Sequence, residues 1–310
     1  MKRIFAAFCI VTSLLSSATV NAQTCNRDCL KKHLDTYLSA VVGHKPEAGG
    51  LWLGFRQTEN ALVIPEGQGV WKSVTGLGDI QRRYLDPVQS QAGYYGTVRM
   101  GDEEAVVALR LKVQWNQVTE AEWFISRKSD PGMTGEPGKT PFNIATLRAT
   151  LPAQRIVPKG ERMQREALEA IVNTYFDGIT NKNGYIVKGH QGCTRYENGF
   201  PTFDTPARPG MEPTNNGKVD CRTTGDYGVA TVAIRNYFVL DEEAQTVMVS
   251  AMFRREPRNE KRRNHFTELF HLDHGKIRDV HAAFYYAPED RPVPNWPPYD
   301  GMYPLPAGYR

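Results

Sequence analysis

The stretch "FHLDHGKIRDVHAAF" (Phe270–Phe284) decides how this chain is read. Two runs of alternating apolar residues flank a short polar turn, which is the signature of a β-hairpin. An earlier stretch, "LKVQWNQVTEAEWF" (Leu111–Phe124), has the same form. Helical patterns repeat as well. Leu168, Ile171, Val172, Tyr175, Phe176 and Ile179 share one helical face, and Leu30, His33, Leu34, Tyr37, Leu38 and Val41 reproduce it earlier in the chain. The words Thr36-Tyr37-Leu38 and Thr174-Tyr175-Phe176 match, as do Glu59-Asn60 and Glu197-Asn198, with Arg56 and Arg195 just before each. A helix and a following motif at one separation, closed by similar hairpins, predict two copies of one α+β domain.

The flanks set the remaining boundaries. Lys2 and Arg3, an apolar run from Ile4 to Val20 and the small residues near Ala22 read as a signal peptide over 1–22, too short and wrongly flanked for a spanning helix. The expected organisation is a first domain over 23–128, a linker over 129–162 containing "SDPGMTGEPGKTP", a second domain over 163–287 and a proline- and aromatic-rich tail over 288–310. Export to the periplasm or beyond places the chain in an oxidising compartment. Cys25, Cys29, Cys193 and Cys221 remain after cleavage and permit three disulfide pairings. The local choice, Cys25–Cys29 with Cys193–Cys221, is expected: one helical turn holds two Cα atoms roughly 6 Å apart, within bridging reach. The spacing does not suit zinc.

With 38 basic and 34 acidic residues, the charge surplus is too small to argue for nucleic acid or a membrane surface as partner. "GQGVWK" at Gly67 lacks the third glycine of a dinucleotide loop, and no Gly-x-Ser-x-Gly elbow occurs. The basic run "RREPRNEKRRN" (Arg254–Asn264) lies between two strand-like segments and reads as a solvated hairpin loop.

The helix words "LDTYLSAVVGH" and "VNTYFDGI" together with "HLDHGKIRDVHAAFYY" resemble the nuclear transport factor two-like fold, the cone-shaped α+β barrel of ketosteroid isomerases, scytalone dehydratase and SnoaL-like cyclases. "TEN…EGQGVW" and "CTRYENG" are similar to an uncharacterised SnoaL-like group. The resemblance implies two tandem cones, cofactor-free acid/base chemistry and a small, often aromatic, substrate. It also implies that Glu268 falls where the isomerases present an acid, and that Tyr175 and Tyr37 fall where a tyrosine donates to an oxyanion. The isomerase aspartate base has no clear counterpart in Tyr185–Gly199. The fold also hosts plain binding modules, so a noncatalytic ligand- or partner-binding role stays open.

Strand alternation supplies candidate catalytic residues. With His274-Gly275 as a two-residue turn, Phe270 faces Asp279 and Glu268 faces His281. The expected catalytic set is His281, Glu268 and Asp279 with Tyr175, and Arg195, His190 and Phe270 bind substrate. The copy-one equivalents of Glu268 and His281 are Leu109 and Glu122, so the second copy is the expected active one. An outer-face ion pair remains the alternative for Glu268 and His281, as do a core role for the tyrosines and Arg56–Glu59 and Arg195–Glu197 bridges. His271 is expected on the face opposite His281, with His274 at the tip; the histidines then diverge, and neither a metal site nor a cofactor is expected.

Overall fold

The computed structural model describes residues 25–207, 213–223, 228–255, 262–288 and 290–291. The signal segment, residues 256–261 of the basic loop and the tail beyond Arg291 lie outside them.

Two α+β domains follow one another. In the first, α1 (Arg27–Val42) precedes β1 (Leu51–Glu59), β2 (Leu62–Val63), the short α2 (Val70–Ser73), β3 (Val74–Asp86), β4 (Gln91–Met100), β5 (Glu103–Gln114) and β6 (Gln117–Ser126). The segment 129–162, expected as a linker, contains α3 (Ile144–Thr150). The second domain runs through α4 (Arg165–Asn181), β7 (Gly189–Glu197), β8 (Phe200–Pro201), β9 (Val229–Asp241), β10 (Thr246–Arg255), β11 (Arg262–Asp273) and β12 (Lys276–Pro288). The sheets have the same order, β2-β1-β6-β5-β4-β3 and β8-β7-β12-β11-β10-β9. Only the β1–β6 and β7–β12 pairs are parallel.

Local chemistry starts the first helix. Asn26 caps α1 by accepting from the Cys29 N–H at 3.0 Å, and the Cys25–Cys29 disulfide clamps this first turn. The apolar stripe Leu30, Leu34, Tyr37, Leu38 and Val41 is buried on the concave face of the first sheet. In α4 the stripe Leu168, Ile171, Val172, Tyr175, Phe176 and Ile179 does the same in the second. Bulges in β3–β4 and β9–β10 bend both sheets around their helices. The Cys193–Cys221 bridge ties β7 to the loop before β9.

The convex faces of the two sheets pack on each other. Ile80, Tyr95, Ala108 and Phe124 meet Phe238, Val239, Met248, Leu269 and Ala283, and Leu147 and Leu151 from the α3 region join the same cluster. The junction is nearly two-fold. Arg27, at the start of α1, makes a two-pronged pair with Asp241 at the end of β9, while Arg165, at the start of α4, does so with Asp86 at the end of β3. Asp241 also accepts from Leu85 N–H, and Asp86 from Leu240 N–H. This reciprocity is that of an isologous dimer, built within one chain. Both aspartates are buried, so each needs its arginine: an unpaired buried charge costs about 3–5 kcal/mol.

The hairpin register differs from strict alternation. Asp273 faces Lys276 and Leu272 faces Ile277, as expected, but His271 then faces Asp279, leaving Arg278 as an extra residue. This bulge slips the pairing by one. Glu268 faces Ala282, Leu269 faces His281 and Phe270 faces Val280, so neither the Glu268–His281 nor the Phe270–Asp279 pair forms. Because side chains alternate strictly, one extra residue transfers all that follow to the other face. Thr119 is the extra residue at the same place in β6.

Candidate functional site

On the concave side of the second sheet lies a cavity of about 630 Å³, within the range of small-molecule sites. Tyr175 from α4, Arg195 and Glu197 from β7, Phe253 from β10 and Tyr286 from β12 line it, and Phe200–Pro206 form part of its wall. The site is assembled by α4 lying across the sheet and by β7 running beside β12. Phe270 does not line the cavity. It is buried beneath Tyr175, ring centroids 5.2 Å apart at a steep angle, and holds that side chain in place.

The polar groups converge on Arg195. Its Nε donates to Tyr175 Oη at 2.7 Å, Nη1 to Glu197 Oε1 at 2.7 Å and to Thr202 Oγ1 at 3.2 Å, and Nη2 to Glu268 Oε1 at 3.1 Å. Tyr175 Oη in turn donates to Glu268 Oε1 at 3.4 Å, and Tyr286 Oη to Glu197 Oε2 at 3.3 Å. Glu268 is fully buried, and its Oε2 has no hydrogen-bond partner among the described residues. Burial raises its carboxyl to about 7 against the opposing pull of Arg195. Desolvation of the Arg195 guanidinium is outweighed by Tyr175, Glu197 and Glu268, which hold it firmly protonated. The site therefore contains a fixed cation, the Glu197 side chain facing the cavity, a tyrosine hydroxyl and, in Glu268, a buried carboxyl able to hold or release a proton near neutral pH.

His281 and Asp279, expected here, lie on the other side of the sheet, because the bulge turns them to the junction between domains. His271, expected on the opposite face from His281, is beside it. His271 Nδ1 is 2.5 Å from Asp279 Oδ1, and His281 Nε2 is 3.4 Å from the same oxygen. Tyr84 of the first domain reaches His271 Nε2 at 3.1 Å. His190, expected near the substrate, instead contacts Asp273 Oδ1 at 2.5 Å beside the hairpin turn. Arg56, expected to pair with Glu59, pairs with Glu120. A further His–Cys group, Cys25, Cys29 and His33, has both sulfurs in the disulfide.

Sequence reading missed the register, although a signal for it is present. The inward-facing residues Ile277, Val280, Ala282 and Phe284 are apolar, and the first gap is three rather than two. Val118, Ala121, Trp123 and Ile125 show the same break.

By strand order and helix placement the chain is a tandem pair of α+β domains, each a helix laid on the concave face of a bent six-stranded sheet. The model of a family described as a domain of unknown function (DUF8021) matches residues 161–284. Among solved structures the chain is similar to a putative ketosteroid isomerase from Kribbella flavida, with 15% identity, 44% of this chain and 96% of that one covered, and a TM-score of 0.28. It is also similar to a protein of unknown function with a cystatin-like fold from Methylobium petroleophilum, with 14% identity, coverages of 36% and 84%, and a TM-score of 0.31. For an NTF2-like protein of unknown function from Cytophaga hutchinsonii the identity is 7%, the coverages 31% and 89%, and the TM-score 0.27. No curated protein matches the chain. No helix among the described residues is long and apolar enough to cross a membrane.

Proposed function

We propose that the second domain is an exported, cofactor-independent lyase or isomerase that moves a proton on a small organic molecule with an aromatic or otherwise apolar body and an oxygen function. The observation that carries this reading is the Arg195–Tyr175–Glu197–Glu268 network at an open, mostly apolar cavity. Glu197, facing the cavity, takes a proton from the carbon α to a carbonyl, so that the electron pair of the broken C–H bond moves onto the carbonyl oxygen. Tyr175 Oη, its proton turned from Glu268 to the substrate, donates to the oxygen as negative charge develops on it, and Arg195, which donates to that hydroxyl, supports the charge electrostatically. Glu268, bonded to Tyr175 from behind and raised to about 7, holds the proton needed to restore the tyrosine. Return of the abstracted proton to another carbon is isomerisation; expulsion of a leaving group is a lyase reaction.

The test uses bicyclic phenols and conjugated enones as probes of the disulfide-bonded protein. Phenols, as mimics of the oxyanion, are expected to bind once per chain, and Tyr175→Phe and Arg195→Gln are expected to weaken that binding. Enones are expected to exchange α-protons for deuterium, and Glu197→Gln to stop the exchange. Phenol binding without any exchange favours the noncatalytic ligand-binding reading. Absence of binding by every probe overturns both.

A further inference from the structure

The junction between the domains holds a second cluster, separate from the cavity. His271, Asp279 and His281 sit on neighbouring strands β11 and β12, all buried, with one possible ligand atom from each within 4.8 Å of the others. We infer that these three side chains form a binding site for a divalent transition metal of the zinc class.

Four observations support the assignment. The donor set is two imidazoles and one carboxylate, which suits zinc, cobalt(II) or iron(II) rather than calcium or magnesium. The spacing is close to what an ion requires: ligands at about 2.0–2.2 Å from a tetrahedral centre stand roughly 3.3 Å apart. His281 Nε2 and Asp279 Oδ1 are already 3.4 Å apart, His271 Nδ1, at 2.5 Å from that oxygen, needs to retreat by less than an ångström, and the two imidazole donors, within 4.8 Å of each other, need to close onto the ion. Second, His281 is fully buried, and neither ring nitrogen has a hydrogen-bond partner among the described residues. Leaving a buried polar atom without a partner is unfavourable, and coordination through Nε2 removes that cost for one of them.

Third, the surrounding groups orient the donors as outer partners of a metal do. Without an ion, His271 Nδ1–H donates to Asp279; when an ion replaces that proton, Tyr84 Oη is positioned to accept from Nε2–H and leaves the Nδ1 lone pair for the metal. Arg278 Nε donates to Asp279 Oδ2 at 2.8 Å and leaves Oδ1 directed at the histidines. The Tyr196 ring lies flat on His281, 4.8 Å between centroids and 10° between planes, and fixes its plane.

Fourth, the first domain solves the same place differently. At the positions of Asp279 and His281 it has Glu120 and Glu122, and Arg110 bonds both at 2.7 and 3.2 Å. The second domain has Leu269 where Arg110 stands. The built-in cation that bridges the two donors in one copy is replaced in the other by two imidazoles facing a carboxylate, and a bound ion takes its place. Through Tyr84 such an ion also ties the first domain to the second.

The experiment uses the mature full-length protein, free of any polyhistidine tag, stripped with EDTA and then dialysed against zinc or cobalt(II). One equivalent of metal per chain is expected by elemental analysis, with a tetrahedral ligand-field spectrum for cobalt and a higher melting temperature when zinc is present. His281→Asn and Asp279→Asn are expected to lose the ion, His190→Ala to keep it, and Tyr84→Phe to weaken it about 10–100-fold. Should the ligand variants fail to fold, the wild-type cobalt spectrum decides alone. Substoichiometric metal, a six-coordinate surface-type spectrum, or undiminished binding by a folded His281→Asn protein overturns the assignment.

Discussion

The two domains share a helix, a strand order and even a bulge, yet among the described residues the concave face is open in the second and filled by side chains in the first. In the first, Trp123 occupies the sheet position that Ala282 takes in the second, and α2 brings Trp71 over the same concave face. Trp71 Nε1 donates to Gln57 Oε1 and Trp123 Nε1 to Tyr37 Oη, so both indoles are buried and satisfied. Tyr37, the counterpart of Tyr175, donates to Gln57, which stands where Arg195 stands. Leu109 holds the place of Glu268. A pair of tryptophans and a neutral amide thus make a core where an alanine, an arginine and a glutamate make a pocket. The fold supplies a concave space, and a few side chains decide whether it is filled or functional.

That contrast can be broken most completely by Ala282→Trp, which copies the first domain into the second. Phenol binding, followed by fluorescence or calorimetry, is expected to disappear while the circular dichroism of the sheets is retained; undisturbed binding places the ligand elsewhere. The reciprocal Trp123→Ala removes a fully buried indole from the first domain. It is expected to cost about 3–5 kcal/mol in denaturant unfolding. Tyr175→Phe tests the chemistry. Losing one oxyanion donor is expected to slow proton exchange by the equivalent of about 2.7–4 kcal/mol, with the protein's melting temperature little changed, and an unaltered rate removes Tyr175 from the mechanism.

The pH dependence sharpens the comparison further. An unfolded glutamate releases its proton near ~4.3, whereas folded Glu268 holds its own to about 7. Between those values the unfolded chain gives up a proton that the folded one keeps, so stability falls as pH rises through this window and is level on either side of it. The difference is on the order of 3 kcal/mol. Glu268→Gln is expected to abolish that component of the slope in urea unfolding measured across the window. An unchanged slope shows that Glu268 is not the group responsible.

Much of the architecture was legible in residues alone. The helical stripes around Tyr37 and Tyr175, the matching Glu-Asn motifs and the paired hairpins each report a local periodicity, and periodicity survives without knowledge of long-range contacts. The local cysteine pairing was legible for the same reason: Cys25–Cys29 spans one helical turn, and the second pair was what remained. The candidate site was legible only in part. Tyr175 and Arg195, named as separate candidates, meet in the structure, and Glu268 joins them. His281 and Asp279 do not, and Glu197 and Tyr286 take the places at the cavity that the sequence had assigned elsewhere or left unassigned.

By itself, then, the sequence determined that there are two copies of one α+β unit, where their helices and hairpins lie, and which residue types are available for chemistry. Only the tertiary structure decided which of them meet. A single bulge residue, Arg278, shifts β12 by one position against β11 and exchanges its inner and outer faces. Glu268 remains in the cone while His281 and Asp279 go to the junction between domains. There they join His271 and, through it, Tyr84, whose position 187 residues away is set by the packing of two sheets and by nothing local.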